Sequence, residues 1–72
     1  MNTDILEGQW KQIKGEIQKQ WGKLTDDEID VINGDREKLE GRIQEMYGYT
    51  RDQARQEVND FLRAFERSHE RR

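Results

Sequence analysis

The chain has no cysteine, so neither a disulfide nor a thiolate metal site holds it together. It has no proline either, which removes the commonest helix breaker. A single histidine, His69, excludes a multi-histidine metal centre. Only 31% of the residues are hydrophobic. They are scattered, so no run approaches the roughly 20 apolar residues that cross a bilayer. No apolar signal-peptide core follows the start, and a cytoplasmic protein is expected. Ser68 is the only serine and stands near the end of the chain. The glycines stand seven apart rather than clustered after a strand, which is not a phosphate-binding loop. These absences leave no constellation for catalysis. No enzyme and no cofactor are expected from residue chemistry.

What is present is charge and helix-forming residues. Of the 72 residues 40% are charged, with 13 basic and 16 acidic side chains giving a net charge of -3. High charge with little hydrophobicity is also the signature of disorder. The small net charge and the periodicity of the apolar residues argue against it. Leu6, Trp10, Ile13, Ile17, Trp21 and Leu24 recur at steps of three and four, which is one face of an amphipathic helix. Leu39, Ile43, Met46 and Tyr47 form a second stripe, and Ala54, Val58, Phe61, Leu62 and Phe65 a third.

The interruptions carry their own signals. Trp21-Gly22 predicts a helix end with Gly22 left-handed. Thr25 and Glu28 then have the spacing of a capping box, flanked by Leu24 and Ile29 as a hydrophobic staple. Thr50 and Gln53 repeat the box after Tyr47-Gly48, with Tyr49 and Ala54 as the staple. Asn33-Gly34 marks a turn and Asp35 a cap. The prediction is four helices, at 4–21, 26–32, 35–47 and 51–66. Residues 1–67 form one domain, and 68–72 a charged tail that frays. Ile13, Ile17, Trp21, Leu39, Ile43, Val58 and Phe61 are the predicted core.

The six glycines form two triplets, Gly8, Gly15, Gly22 and Gly34, Gly41, Gly48, offset by 26 residues. The same offset pairs Ile13 with Leu39, Ile17 with Ile43 and Trp21 with Tyr47. After one dropped residue, Thr25 pairs with Thr50 and Glu28 with Gln53. The expected architecture is all-α: a small open bundle built from two duplicated helix-turn-helix units, each unable to bury its face alone. Gly15 and Gly41 lie nearly opposite their apolar stripes, where glycine costs about 1 kcal/mol relative to alanine. They are either tolerated on a solvent face, or form a bare surface for a partner, or keep the helix deliberately weak.

This arrangement resembles the CsbD-like family of small bacterial general stress-response proteins. The resemblance rests on Trp10-Lys11-Gln12-Ile13-Lys14-Gly15, Gln20-Trp21-Gly22-Lys23-Leu24-Thr25-Asp26-Asp27, Gly41-Arg42-Ile43-Gln44-Glu45, Tyr47-Gly48-Tyr49 and Glu57-Val58. It is closest to the short proteobacterial members, and the run from Phe61 is less typical. It implies an open helical bundle, no catalysis and accumulation under stress, and it brings no catalytic residues.

The remaining clusters have ordinary explanations beside functional ones. Residues 25–34 hold four acids, Asp26, Asp27, Glu28 and Asp30, and no base. The spacing is not that of a calcium loop, and acids favour a helix start. Trp10, Trp21, Tyr47 and Tyr49 near Lys11, Lys14, Lys19 and Lys23 could stack nucleic-acid bases. Yet residues 1–24 carry four bases against three acids, too little for phosphate binding, and core packing explains the tryptophans. The arginines of the last helix are nearly cancelled by acids, which gives a solvated face. Membrane-surface binding through Phe61, Leu62 and Phe65 is the alternative there. A monomer acting through protein surfaces or by abundance is expected, its partners unidentified, with no metal.

Overall fold

A computed structural model describes residues 3–70. Among them are five helices: α1 (Thr3–Gly8), α2 (Trp10–Gln20), α3 (Asp26–Ile32), α4 (Arg36–Tyr47) and α5 (Arg51–Glu70). The all-α class stands, but the count is five rather than four. The predicted first helix, 4–21, breaks at Gln9, whose φ of -115° and ψ of 26° leave the helical region. Gly8 immediately before it is the weakest helix former available, and glycine is a usual site of a helix kink. The bend lets α1 cross to the α3–α4 turn. There Gly34 is buried at φ 83°, and a Cβ on it would lie 3.4 Å from the Cα of Glu7. That left-handed φ is one glycine adopts freely and other residues rarely do, and a Cβ there would stand in van der Waals contact with Glu7.

The helix starts form by local chemistry. Thr25 Oγ1 accepts from the Glu28 amide at 3.1 Å, and the Thr25 amide donates to Glu28 Oε1 at 2.9 Å. Thr50 and Gln53 make the same reciprocal pair at 3.1 and 2.9 Å. Asp35 Oδ1 accepts from the amides of Glu37 at 3.0 Å and Lys38 at 3.2 Å. Two helix ends close in the left-handed region, at Asn33 (φ 44°) and Gly48 (φ 72°).

The end of α2 does not, which corrects the expectation for Gly22. Only Gly34 and Gly48 among the described glycines have positive φ. Here the helix ends at Trp21 (φ -124°, ψ 78°), and the Leu24 amide donates to the Trp21 carbonyl at 3.0 Å. Gln18 Nε2 donates to the Leu24 carbonyl at 2.7 Å and stitches the loop to the helix. This tight turn puts both Trp21 and Leu24 in the core, which a left-handed glycine cap alone does not require.

The last helix runs to Glu70, four residues beyond the predicted 66. Most of the expected charged tail, 68–72, is therefore helical backbone, and residues 71 and 72 lie outside the described residues.

All five helices or their ends contribute to one core. Leu6 comes from α1, Ile13 and Ile17 from α2, Trp21 and Leu24 from the loop after it, and Ile29 and Ile32 from α3. Leu39 and Ile43 enter from α4, and Ala54, Val58, Leu62 and Phe65 from α5. Six of the seven predicted core residues are buried, and Phe61 is the exception. Positions 54, 58, 62 and 65 line the inward face of α5, with steps of four, four and three. Phe61 sits at its edge, half-buried, with its ring tilted 55° against Trp21 at 5.1 Å. The indole Nε1 of Trp21 is buried with no hydrogen-bond acceptor among the described residues, a cost that apolar packing must offset.

One polar clamp joins α4 to α5. Arg36 Nε donates to Glu40 Oε2 at 2.7 Å, and its Nη2 reaches Asn59 Oδ1 at 2.6 Å and the Arg55 carbonyl at 3.3 Å. The Arg36 and Glu40 side chains are only 17% and 15% exposed, so the pair is shielded from water.

Three stability outcomes follow, each read by urea or thermal unfolding. Ile17→Ala and Ile43→Ala should each cost about 2–5 kcal/mol, and a melt barely altered by both would mean that the stripes share no core. Thr25→Ala and Thr50→Ala should each cost about 0.5–2 kcal/mol. Arg36→Ala should cost about 1.5–3 kcal/mol, because it strips several charge-assisted hydrogen bonds at once. Arg36→Lys should recover less than half of that loss, since an ammonium cannot reproduce the planar fork.

Candidate functional site

Gly15 and Gly41 sit in the middle of α2 and α4, and both border α3. Gly15 is exposed and opens on a groove walled by Lys14, Gln18 and Lys19 of α2 and by Asp26, Ile29 and Asp30 of α3. Gly41 opens on a second groove, walled by Lys38, Arg42 and Glu45 of α4 and by Val31 and Ile32 of α3. A Cβ on either glycine would meet no heavy atom within 4 Å, so neither is there to admit a close neighbour within this chain. Val31, 57% exposed, is the one large exposed hydrophobic side chain among the described residues, and it belongs to the Gly41 groove. The Gly15 groove is spanned by an ion pair, Lys14 Nζ to Asp30 Oδ1 at 3.8 Å, between two well-exposed side chains. A pair of that kind is worth little and yields readily to a competitor. A helical wheel puts each glycine opposite its own stripe. That α3 forms the shared wall of both grooves depends on tertiary packing and has no signal in the sequence.

The acids of α3 are accounted for singly. Glu28 completes the capping box, Asp30 pairs with Lys14, and Asp26 and Asp27 lie in the first turn, where the helix dipole favours them. Among the described residues no group of three or more His, Cys, Asp or Glu side chains is placed to hold a metal ion.

The aromatic residues do not form one platform. Trp21 is buried and Trp10 packs half-buried against the core. Tyr47 and Tyr49 stack on each other, 5.6 Å apart and 13° from parallel. The Lys23 ammonium lies 5.1 Å from the Tyr47 ring centroid, and the Lys23 amide donates to the Tyr47 hydroxyl at 3.2 Å. A base stacking on Tyr47 would have to displace one of these neighbours.

On α5 the charges pair along the helix, Arg63 with Asp60 at 3.8 Å. Leu62 and Phe65 are buried and Phe61 packs against the core, so offering them to a lipid surface would require opening the bundle. Ser68 lines a groove with Glu16, Lys19 and Phe61. His69 lies on α5, and its side chain is outside the described residues. No described helix is long and apolar enough to cross a membrane.

The sequence matches the family described as CsbD-like over residues 4–56. A UPF0337 protein of Mesorhizobium japonicum is 62% identical over 61 residues, covering 85% of this chain and 91% of its own length. The UPF0337 protein YjbJ of Escherichia coli is 56% identical, covering 85% and 88%. A UPF0337 protein of Pseudomonas aeruginosa is 48% identical, covering 85% and 94%.

Because a methyl group at either glycine points into open space, Gly15→Ala and Gly41→Ala should each stabilise the fold by up to about 1 kcal/mol. Unfolding curves of the single and double variants check this. A loss of stability would mean that the added methyl groups clash with something other than the static neighbours.

Proposed function

The chain belongs to the CsbD-like family, and we propose that it is a non-enzymatic bacterial general stress-response protein, acting in the cytoplasm as a monomer through its surface and its abundance. Family membership carries this reading. The surface we assign to it is the pair of grooves beside α3, with Gly15 and Gly41 as their floors. Two features support that choice. Both glycines weaken a helix interior at a cost of about 1 kcal/mol each with no compensating contact inside the chain. Both also recur at the same offset of 26 residues. We read the chain as two copies of one helix-turn-helix unit. The reciprocal capping boxes at Thr25–Glu28 and Thr50–Gln53 favour that reading, and on it the unequal helix ends at Trp21 and Gly48 are where the two copies differ. A partner of this surface is a protein that brings a backbone or a small side chain close to the bare helix faces.

The test is a dissociation of stability from protection. In a strain lacking the endogenous protein, the Gly15→Ala, Gly41→Ala double variant should accumulate as a more stable fold yet protect less through osmotic or stationary-phase stress. A folding defect would lower both quantities together. A double variant that is more stable and protects fully would remove the grooves from the mechanism. Loss of the protein without any stress phenotype would remove the stress-response reading itself.

A further inference from the structure

The α3–α4 turn is made by Asn33-Gly34, and its geometry bears on a chemical reaction of the chain with itself. Asn33 is exposed and closes α3 in the left-handed conformation, φ 44° and ψ 47°, with its amide donating to the Ile29 carbonyl at 3.1 Å. It is the only non-glycine residue with positive φ among those described. Gly34 is buried beneath α1, its missing Cβ 3.4 Å from the Glu7 Cα. Asparagine before glycine is the pair in which the following main-chain nitrogen attacks the side-chain amide most readily, because no Cβ obstructs the approach.

We propose that Asn33-Gly34 is a self-deamidation site that the native fold holds closed and that opens when α1 leaves the turn. In the reaction, solvent base removes the Gly34 amide proton and the nitrogen attacks Asn33 Cγ. The N–Cγ bond forms, the bond from Cγ to the side-chain nitrogen breaks, and ammonia leaves with a solvent proton. The resulting five-membered imide adds one water and opens to aspartate or isoaspartate. Ring closure needs the Gly34 nitrogen nearly eclipsed with Asn33 Cβ, which demands a strongly negative ψ. At ψ 47° the nitrogen is turned to the opposite side. Reaching the reactive geometry rotates the Asn33–Gly34 peptide, which has to move Gly34 within the buried position it occupies beside Glu7 of α1.

The products do not restore the turn. Isoaspartate routes the main chain through Cβ and lengthens it by one methylene where Gly34 meets α1. Aspartate keeps the length but places a negative charge at the C-terminal end of α3, the unfavourable end of the helix dipole. A molecule that has once stayed open is therefore chemically marked and refolds to a weaker turn. This site is independent of the grooves and of the stress-response reading.

The experiment incubates the full chain in mildly alkaline buffer, native and in guanidinium chloride, and follows deamidation by intact mass and peptide mapping, with isoaspartyl methyltransferase labelling as a second readout. The Asn33 peptide should convert at least about tenfold more slowly in the native protein, as expected for a reaction that proceeds only through local opening. Equal native and unfolded rates, or conversion confined to Asn2 or Asn59, would overturn the proposal. Leu6→Ala removes a fully buried anchor of α1 and tests the gate. If the variant stays folded, its Asn33 rate should rise above that of the native protein; if it unfolds, the rate should reach the guanidinium value. A folded Leu6→Ala protein that converts no faster than wild type would overturn the part assigned to α1.

Discussion

Everything in this fold depends on a single core of about a dozen apolar side chains, drawn from a chain that is mostly polar. Ordering each residue costs about 1–2 kcal/mol in backbone entropy, and a core this small offsets that with little to spare. No pair of helices can bury enough surface alone. Leu6 from α1, Ile17 from α2, Ile32 from α3, Ile43 from α4 and Leu62 from α5 must all meet for any of them to be dry. The fold is therefore cooperative by necessity. With so little apolar surface available, local caps at the helix ends carry more weight. Thr25, Asp35 and Thr50 cap the starts of α3, α4 and α5, and Asn33 and Gly48 close two of the ends.

The legible part of the sequence is the part decided within a few residues. A capping box needs only the spacing Thr-x-x-Glu or Thr-x-x-Gln, and both boxes form. The bounds of α3 follow from Thr25 before it and Asn33-Gly34 after it. The inward face of each helix follows from its period. What the sequence does not contain is what each helix leans on. Gln9 carries no breaking signal of its own. The chain bends there after Gly8, and the bend sets Glu7 beside Gly34, far away in the sequence. Gly22 looks like Gly48, but the turn that returns Leu24 to the core keeps it out of the left-handed region. Phe61 has the residue type of a core position and the angle of a boundary one. Arg36 reads as one more surface charge until Glu40 and Asn59 are seen to close over it.

The glycines illustrate how an evident sequence pattern divides into unlike physical jobs. Spaced seven apart in two triplets, they invite one explanation. The structure separates them: Gly34 and Gly48 hold positive φ at helix ends, Gly8 precedes a break, Gly22 lies in a loop, and Gly15 and Gly41 interrupt nothing. The first four are needed, or at least used, by the fold. For the last two the fold supplies no reason, and the candidate site was legible only to that extent. Their position on the wheel excluded a core role, and the neighbouring helix that makes each of them the floor of a groove emerged from packing.

That division bears on what the two glycines without a role in the fold can do. A domain of this size has a few kcal/mol of net stability. Two interior glycines that together withhold up to about 2 kcal/mol are then a large fraction of it. Random drift can hold a protein near its stability threshold. Both of these weaknesses lie beside the same short acidic helix. A bare helix face differs from a merely weak helix in one respect that matters here: it gains stability when something packs against it. A marginal bundle with two such faces would bind and become firmer in the same step. Its affinity and its folding would then be one linked equilibrium rather than two separate properties.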